Sequence, residues 1–158
     1  MGGNGVESLW LPQGTVKVTE EARDRQLNLV SVVVVAAVLG FISITSPPYI
    51  IPGKKVVFYE DPLFPFIRTA IENLSVLPTM GLLILSGGIV GYLKPEKWGL
   101  LGFSTIVLFP IASITEMILY PTTHNLWPIE FFVYCILSIP AVVGALIGSK
   151  LKNIFIGR

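Results

Sequence analysis

The sequence predicts an all-α fold, a polytopic membrane four-helix bundle with short cytoplasmic connections and one longer extracytoplasmic loop. Composition gives the first reason: of 158 residues, 53% are hydrophobic and only 13% charged, against about 25% charged in soluble domains. Mean hydropathy is +0.74. The second reason is length. Four apolar runs, near 27–44, 74–93, 98–120 and 128–149, can each cross a hydrocarbon core of about 30 Å, which takes roughly 20 helical residues.

Residues 1–18 are rich in glycine and small side chains and read as a flexible cytoplasmic tail ahead of a single four-span domain at 19–158. MGGNGV begins as a myristoylation signal does, but Val6 stands where serine or threonine is required. In TEEARDRQLN, Thr19 has N-cap chemistry, and Glu20 and Glu21 fall in the first turn, beside the positive end of the helix dipole. Span one contains SVVVVAAVLG and lacks a small-residue cleavage site before SPPYIIPG, so it reads as a retained signal anchor. In the loop at 45–62, Pro47, Pro48, Pro52 and Pro62 break helix, while KKVVFYE favours a short strand. The tight connections KPEK and PTTHNLW imply antiparallel neighbours.

Charge placement sets orientation. Lys17, Arg23 and Arg25 precede span one, Lys94 and Lys97 join spans two and three, and Lys150, Lys152 and Arg158 follow span four, all on one side of a four-span chain. Lys54, Lys55 and Arg68 lie on the other. The positive-inside rule then places both termini in the cytoplasm. A net charge of +1 excludes nucleic acid as a partner. The bilayer itself is the expected partner. Lys150, Lys152 and Arg158 suit anionic lipid, but three charges are too few to argue specific recognition. Trp10, Trp98 and Trp127, with Tyr49, Tyr59, Tyr92 and Tyr120, fall near the span ends as interfacial anchors.

Side chains three or four apart share a helix face. Arg68, Glu72, Ser75, Thr79 and Ser86 form such a line on span two and its outer extension, Ser113, Glu116 and Tyr120 on span three, and Glu130, Tyr134 and Ser138 on span four. Lipid offers these groups no hydrogen bonds, so the lines are expected to face one another. Arg68, Glu72, Glu116, Tyr120, His124, Glu130 and Tyr134 then converge at the outer end as candidate ligand or proton residues around a polar vestibule. The other half carries GxxxG spacing in GGIVG at 87–91 and GALIG at 144–148, suited to packing within the bundle, to a homo-oligomer or to a membrane-protein partner. Pro78, Pro110 and Pro140 lie inside spans two, three and four, where they can bend the helices and widen the vestibule.

Glu72, Glu116, His124 and Glu130 are also a candidate metal set, three carboxylates and one imidazole, which makes a divalent metal ion the cofactor to consider. The chain has no HExxH, ExxH or paired-cysteine spacing to support it. A structural account competes: Arg68 neutralises Glu72, Glu116 and Glu130 sit at interfacial depth, and His124 hydrogen-bonds in its turn. A third account makes one desolvated glutamate a proton carrier. Catalytic signatures are absent. Asp24 and Asp61 lie outside the spans, one histidine cannot supply two haem ligands, and GFSTI at 102–106 departs from the GxSxG elbow. The lone Cys135 excludes an intramolecular disulfide and is expected to pack as a structural thiol among apolar side chains. Asn73 begins a glycosylation triplet at the membrane entry of span two, where the signal carries little weight. The favoured function is therefore non-catalytic: a small membrane protein whose vestibule binds an ion or small ligand, as a minimal channel or transporter subunit. An accessory subunit of a larger complex is the alternative, and a metal-dependent membrane enzyme the third reading.

Overall fold

The computed structural model describes residues 13–51, 64–72, 74–120 and 127–156. The strand expected in KKVVFYE, Asn73 of the glycosylation triplet, His124 and the Arg68 side chain lie outside the described residues. The elements are α1 (Gln13–Thr45), α2 (Pro47–Ile50), α3 (Pro65–Glu72), α4 (Val76–Leu93), a 3-10 turn (Pro95–Lys97), α5 (Trp98–Ser104), α6 (Leu108–Leu119) and α7 (Trp127–Ile156). All are helical. Four segments are long and apolar enough to cross a membrane: Asn28–Thr45, Val76–Leu93, Pro95–Leu119 and Pro128–Phe155. These match the four runs read from sequence, although the last continues beyond Ser149.

Several local expectations need correction. The first helix begins at Gln13, so Thr19 is an interior residue and not an N-cap. Pro47 and Pro48 do follow the end of α1 at Thr45, as expected, but they also open a short α2, at positions whose N–H has no intrahelical acceptor. The outer extension of span two is not continuous with it, because α3 ends at Glu72 and α4 begins after non-helical Leu74 and Ser75. Pro78 falls in the first turn of α4, where it starts the helix rather than bending it. Pro140 leaves α7 helical throughout.

Pro110 has the large effect. Span three divides into α5 and α6 around a turn at Thr105, Ile106 and Val107. Proline removes the N–H that would bond to the Ile106 carbonyl, and its ring crowds that carbonyl. The chain there tightens to bonds three residues back: Ile106 N–H to Phe103 O at 3.3 Å, Val107 N–H to Ser104 O at 3.2 Å and Phe109 N–H to Ile106 O at 2.9 Å.

Two compact units divide the chain, Met1–Ser31 and Val32–Arg158. The described part of the first is the start of α1. The packing that follows lies within the second. Its pattern departs from that of a soluble protein, because small polar side chains join the apolar core and large apolar ones lie outside. Buried positions include Ser43, Thr79, Ser86, Thr105, Ser113 and Ser138, whereas Leu77, Ile118 and Phe155 are 83%, 73% and 73% exposed. Cys135 is also exposed, contrary to the packed thiol expected from sequence.

Backbone meets backbone where α4 packs on α7. A Cβ on Gly87 would stand 1.9 Å from the Ala141 carbonyl oxygen, and one on Gly91 2.1 Å from that of Ala145. Reciprocally, a Cβ on Gly144 would meet Ile84 O at 2.1 Å and one on Gly148 would meet Gly88 O at 2.0 Å. Both series rise together, so the helices run parallel. The two GxxxG faces therefore engage each other within one chain. Ile44, Leu83, Ile106, Phe109, Tyr134 and Ala141 form the adjoining apolar core.

Gly87→Ala should lower the stability measured by denaturing-detergent titration by about 1–3 kcal/mol, the usual range for overpacking. Gly81→Ala and Gly99→Ala, where a Cβ meets nothing within 4 Å, should stay within about 0.5 kcal/mol of wild type.

Candidate functional site

A cavity of about 320 Å³ opens among α3, α6 and α7. The α3 helix supplies Glu72 with Ile67 and Ile71, α6 supplies Ser113 and Glu116, and α7 supplies Glu130 and Tyr134 with Ile129 and Val133. Thus Glu72, Glu116, Glu130 and Tyr134, four of the residues singled out from sequence, share one space. Tyr120 does not join them. It follows the last turn of α6, is 49% exposed, and donates its backbone N–H to Glu116 O at 2.7 Å.

Helical spacing explains the convergence. Ser113 and Glu116 are three apart on α6, and Glu130 and Tyr134 four apart on α7, so each pair shares a face. The faces are locked together by a buried hydrogen bond of 2.8 Å between the Ser113 and Tyr134 hydroxyls. Aromatic packing fixes the tyrosine further: its ring centroid lies 6.0 Å from that of Phe109 and 6.2 Å from that of Phe131. Such pairs prefer offset or edge arrangements over face-to-face stacking, so they hold orientation as well as distance.

Glu116 has a second task. Its Oε1 accepts the backbone N–H of Phe64 at 3.2 Å, which ties the start of α3 to α6. A carboxylate on a backbone donor makes a charge-assisted bond. Glu72, Glu130 and Glu116 each engage further groups as well. Glu116 is accordingly a held part of the wall.

Most of the wall is apolar, which the polar lines did not anticipate. The legible signal was the spacing of Ile67 and Ile71, four apart, which puts both on one apolar face of α3 lining the cavity, with Phe64 just before the helix. Among the described residues, no three His, Cys, Asp or Glu side chains gather closely enough to hold a metal ion. A metal held by the expected set would require His124, which is outside them.

Other members of the polar lines serve packing. Ser86 meets Ser43 of α1, hydroxyl to hydroxyl at 2.7 Å. Ser43 also donates to Leu39 O at 2.7 Å, and a hydroxyl has one proton, so Ser86 is the donor between them. Ser138 donates to Cys135 O at 2.6 Å. Ser104 of GFSTI is buried and donates to Leu100 O at 2.8 Å, an arrangement for helix packing and not for a nucleophile. Thr79 is 1% exposed, and its hydroxyl has no partner among the described residues. Ser43 was absent from the sequence-derived lines because span one shows no polar repeat.

Comparison with known proteins yields no match: no family model fits the chain, and no curated protein or solved structure is similar to it.

A double-mutant cycle of Ser113→Ala and Tyr134→Phe should give a coupling of about 0.5–1.5 kcal/mol in denaturing-detergent titration. Additive single effects would mean that the hydroxyls do not interact.

Proposed function

We propose that this chain is a multi-pass integral membrane protein, a four-helix bundle with both termini in the cytoplasm, whose outward-facing vestibule binds an ion or small ligand. In this reading it works as a minimal channel or transporter subunit. The observation that carries the proposal is the single cavity of about 320 Å³ that draws carboxylates from α3, α6 and α7 together with Tyr134. Its size falls at the lower end of the roughly 300–1,000 Å³ usual for small-molecule sites.

The wall composition favours a particular kind of guest. Ile67, Ile71, Ile129 and Val133 present apolar surface, and the glutamates occupy separate helices. A small molecule with an apolar body and a cationic or hydrogen-bond-donating end matches both. The carboxylates would fix its orientation while the isoleucines and valine exclude water, which strengthens each polar contact. Catalysis is the weaker reading, since Ser113 and Tyr134 are bonded to each other.

Glu116→Gln keeps an acceptor for the Phe64 N–H and removes the charge. In native mass spectrometry of the full-length protein extracted from its own membrane, wild type should retain a non-lipid mass. Glu116→Gln and Glu130→Gln should each lower its occupancy about tenfold, equivalent to 1.4 kcal/mol, with thermal stability unchanged. Undiminished occupancy in both variants would refute the vestibule, as would a wild-type chain without a guest.

A further inference from the structure

A second cavity lies along the outer side of the α4–α7 contact. It is a groove of about 430 Å³, and its floor is backbone at Gly88, Gly144 and Gly148, where the close helix approach leaves no side chain. Leu85, Ile89 and Ile147 form the walls and are 65%, 52% and 48% exposed. Nothing in the described chain covers them.

Length and charge point to the occupant. Along α4 the groove runs from Ile84 to Leu93, a rise of about 14 Å at 1.5 Å per residue. That is close to half of a hydrocarbon core of about 30 Å, the depth of one leaflet. The groove ends at a basic rim. There the Lys152 ammonium donates to Leu93 O at 3.1 Å and stands 5.8 Å from the centre of the Tyr92 ring. An ammonium has three donors, and the carbonyl takes one. The exposed Lys97 and Lys150 and the half-buried Lys94 belong to the same end, with Glu96 the acidic residue beside them.

We propose that this groove is a binding site for one anionic phospholipid, with an acyl chain on the glycine floor and the phosphate at Lys152. The charge complementarity selects an anionic headgroup, and the one-leaflet length selects an acyl chain over a helix of a second copy, which would follow the whole span. The four-lysine rim also answers the sequence-level objection that the terminal charges alone are too few. The proposal shares with the vestibule reading only the membrane placement of α4 and α7.

The test uses full-length protein in vesicles of equimolar phosphatidylcholine and phosphatidylglycerol, extracted in mild detergent and weighed by native mass spectrometry. Wild type should retain one phosphatidylglycerol per chain in preference to phosphatidylcholine. Lys152→Gln, which keeps a donor for the Leu93 carbonyl, should reduce that preference about fivefold, the weight of one basic residue near an anionic surface. Gly88→Ala places its methyl 3.7 Å from its nearest neighbour, the Gly144 oxygen. It should raise the floor without strain and lower retention of both lipids. Glu116→Gln should retain lipid as wild type does, which separates this site from the vestibule. Equal retention of the two lipids by wild type, or an unchanged preference in Lys152→Gln, would overturn the proposal. A dimer abolished by Gly88→Ala would overturn it too, giving the groove to a second copy.

Discussion

Backbone contact between α4 and α7 is the constraint on which the other features depend. In lipid, burying apolar side chains gains little, because the surroundings are equally apolar; helices associate through close packing and interhelical hydrogen bonds. Glycine supplies the first. At Gly87, Gly91, Gly144 and Gly148 the partner's carbonyl occupies the place that a Cβ would take. Dispersion attraction falls steeply with separation, so two backbones in contact over two helical turns gain what larger side chains would prevent. Gly40 of α1 makes the same kind of approach to Thr105 O, 1.9 Å from the position of a Cβ, at the turn that divides span three.

The opposite half follows different rules. Around Phe109 and Tyr134 the spacing is set by rings whose centroids lie 6.0 Å apart, and Phe41 stacks on Phe109 at 5.8 Å. Aromatic side chains hold helices farther apart than glycine does. The turn before Pro110 divides α5 from α6. Tight packing in one half and aromatic spacing in the other leave room for the cavity that the glutamates line. The same close packing leaves the glycine floor of the second groove on its outer side.

The spans were legible because run length is a direct consequence of membrane thickness, and the sequence boundaries agree with the membrane-crossing segments within a few residues except at the end of the last, which continues to Phe155. The alignment of Glu116 with Ser113 and of Glu130 with Tyr134 was legible for a similar reason, since helical period alone fixes it. The break at 105–107 was not, because Pro110 acts through the carbonyl four residues earlier and Thr105, Ile106 and Val107 carry no turn residue of their own. The division between α3 and α4 was hidden by the same uninterrupted run of spacing from Arg68 to Ser86. Cys135 was misplaced by a rule for soluble cores: a helix surrounded by lipid has no need to turn an apolar side chain inward. The isoleucine walls of the cavity escaped notice because the polar lines alone were followed.

The parallel, intramolecular contact between α4 and α7 can be tested directly by cross-linking. With Cys135 replaced by serine, Leu85→Cys and Ile147→Cys place one thiol on each wall of the groove. A short bismaleimide applied to the double variant in membranes should join the two positions within single chains, giving a cross-linked monomer in high yield at every protein density. Cross-linked dimers that disappear on dilution with cysteine-free protein, with no cross-linked monomer, would contradict the packing on which the cavity and the groove both rest.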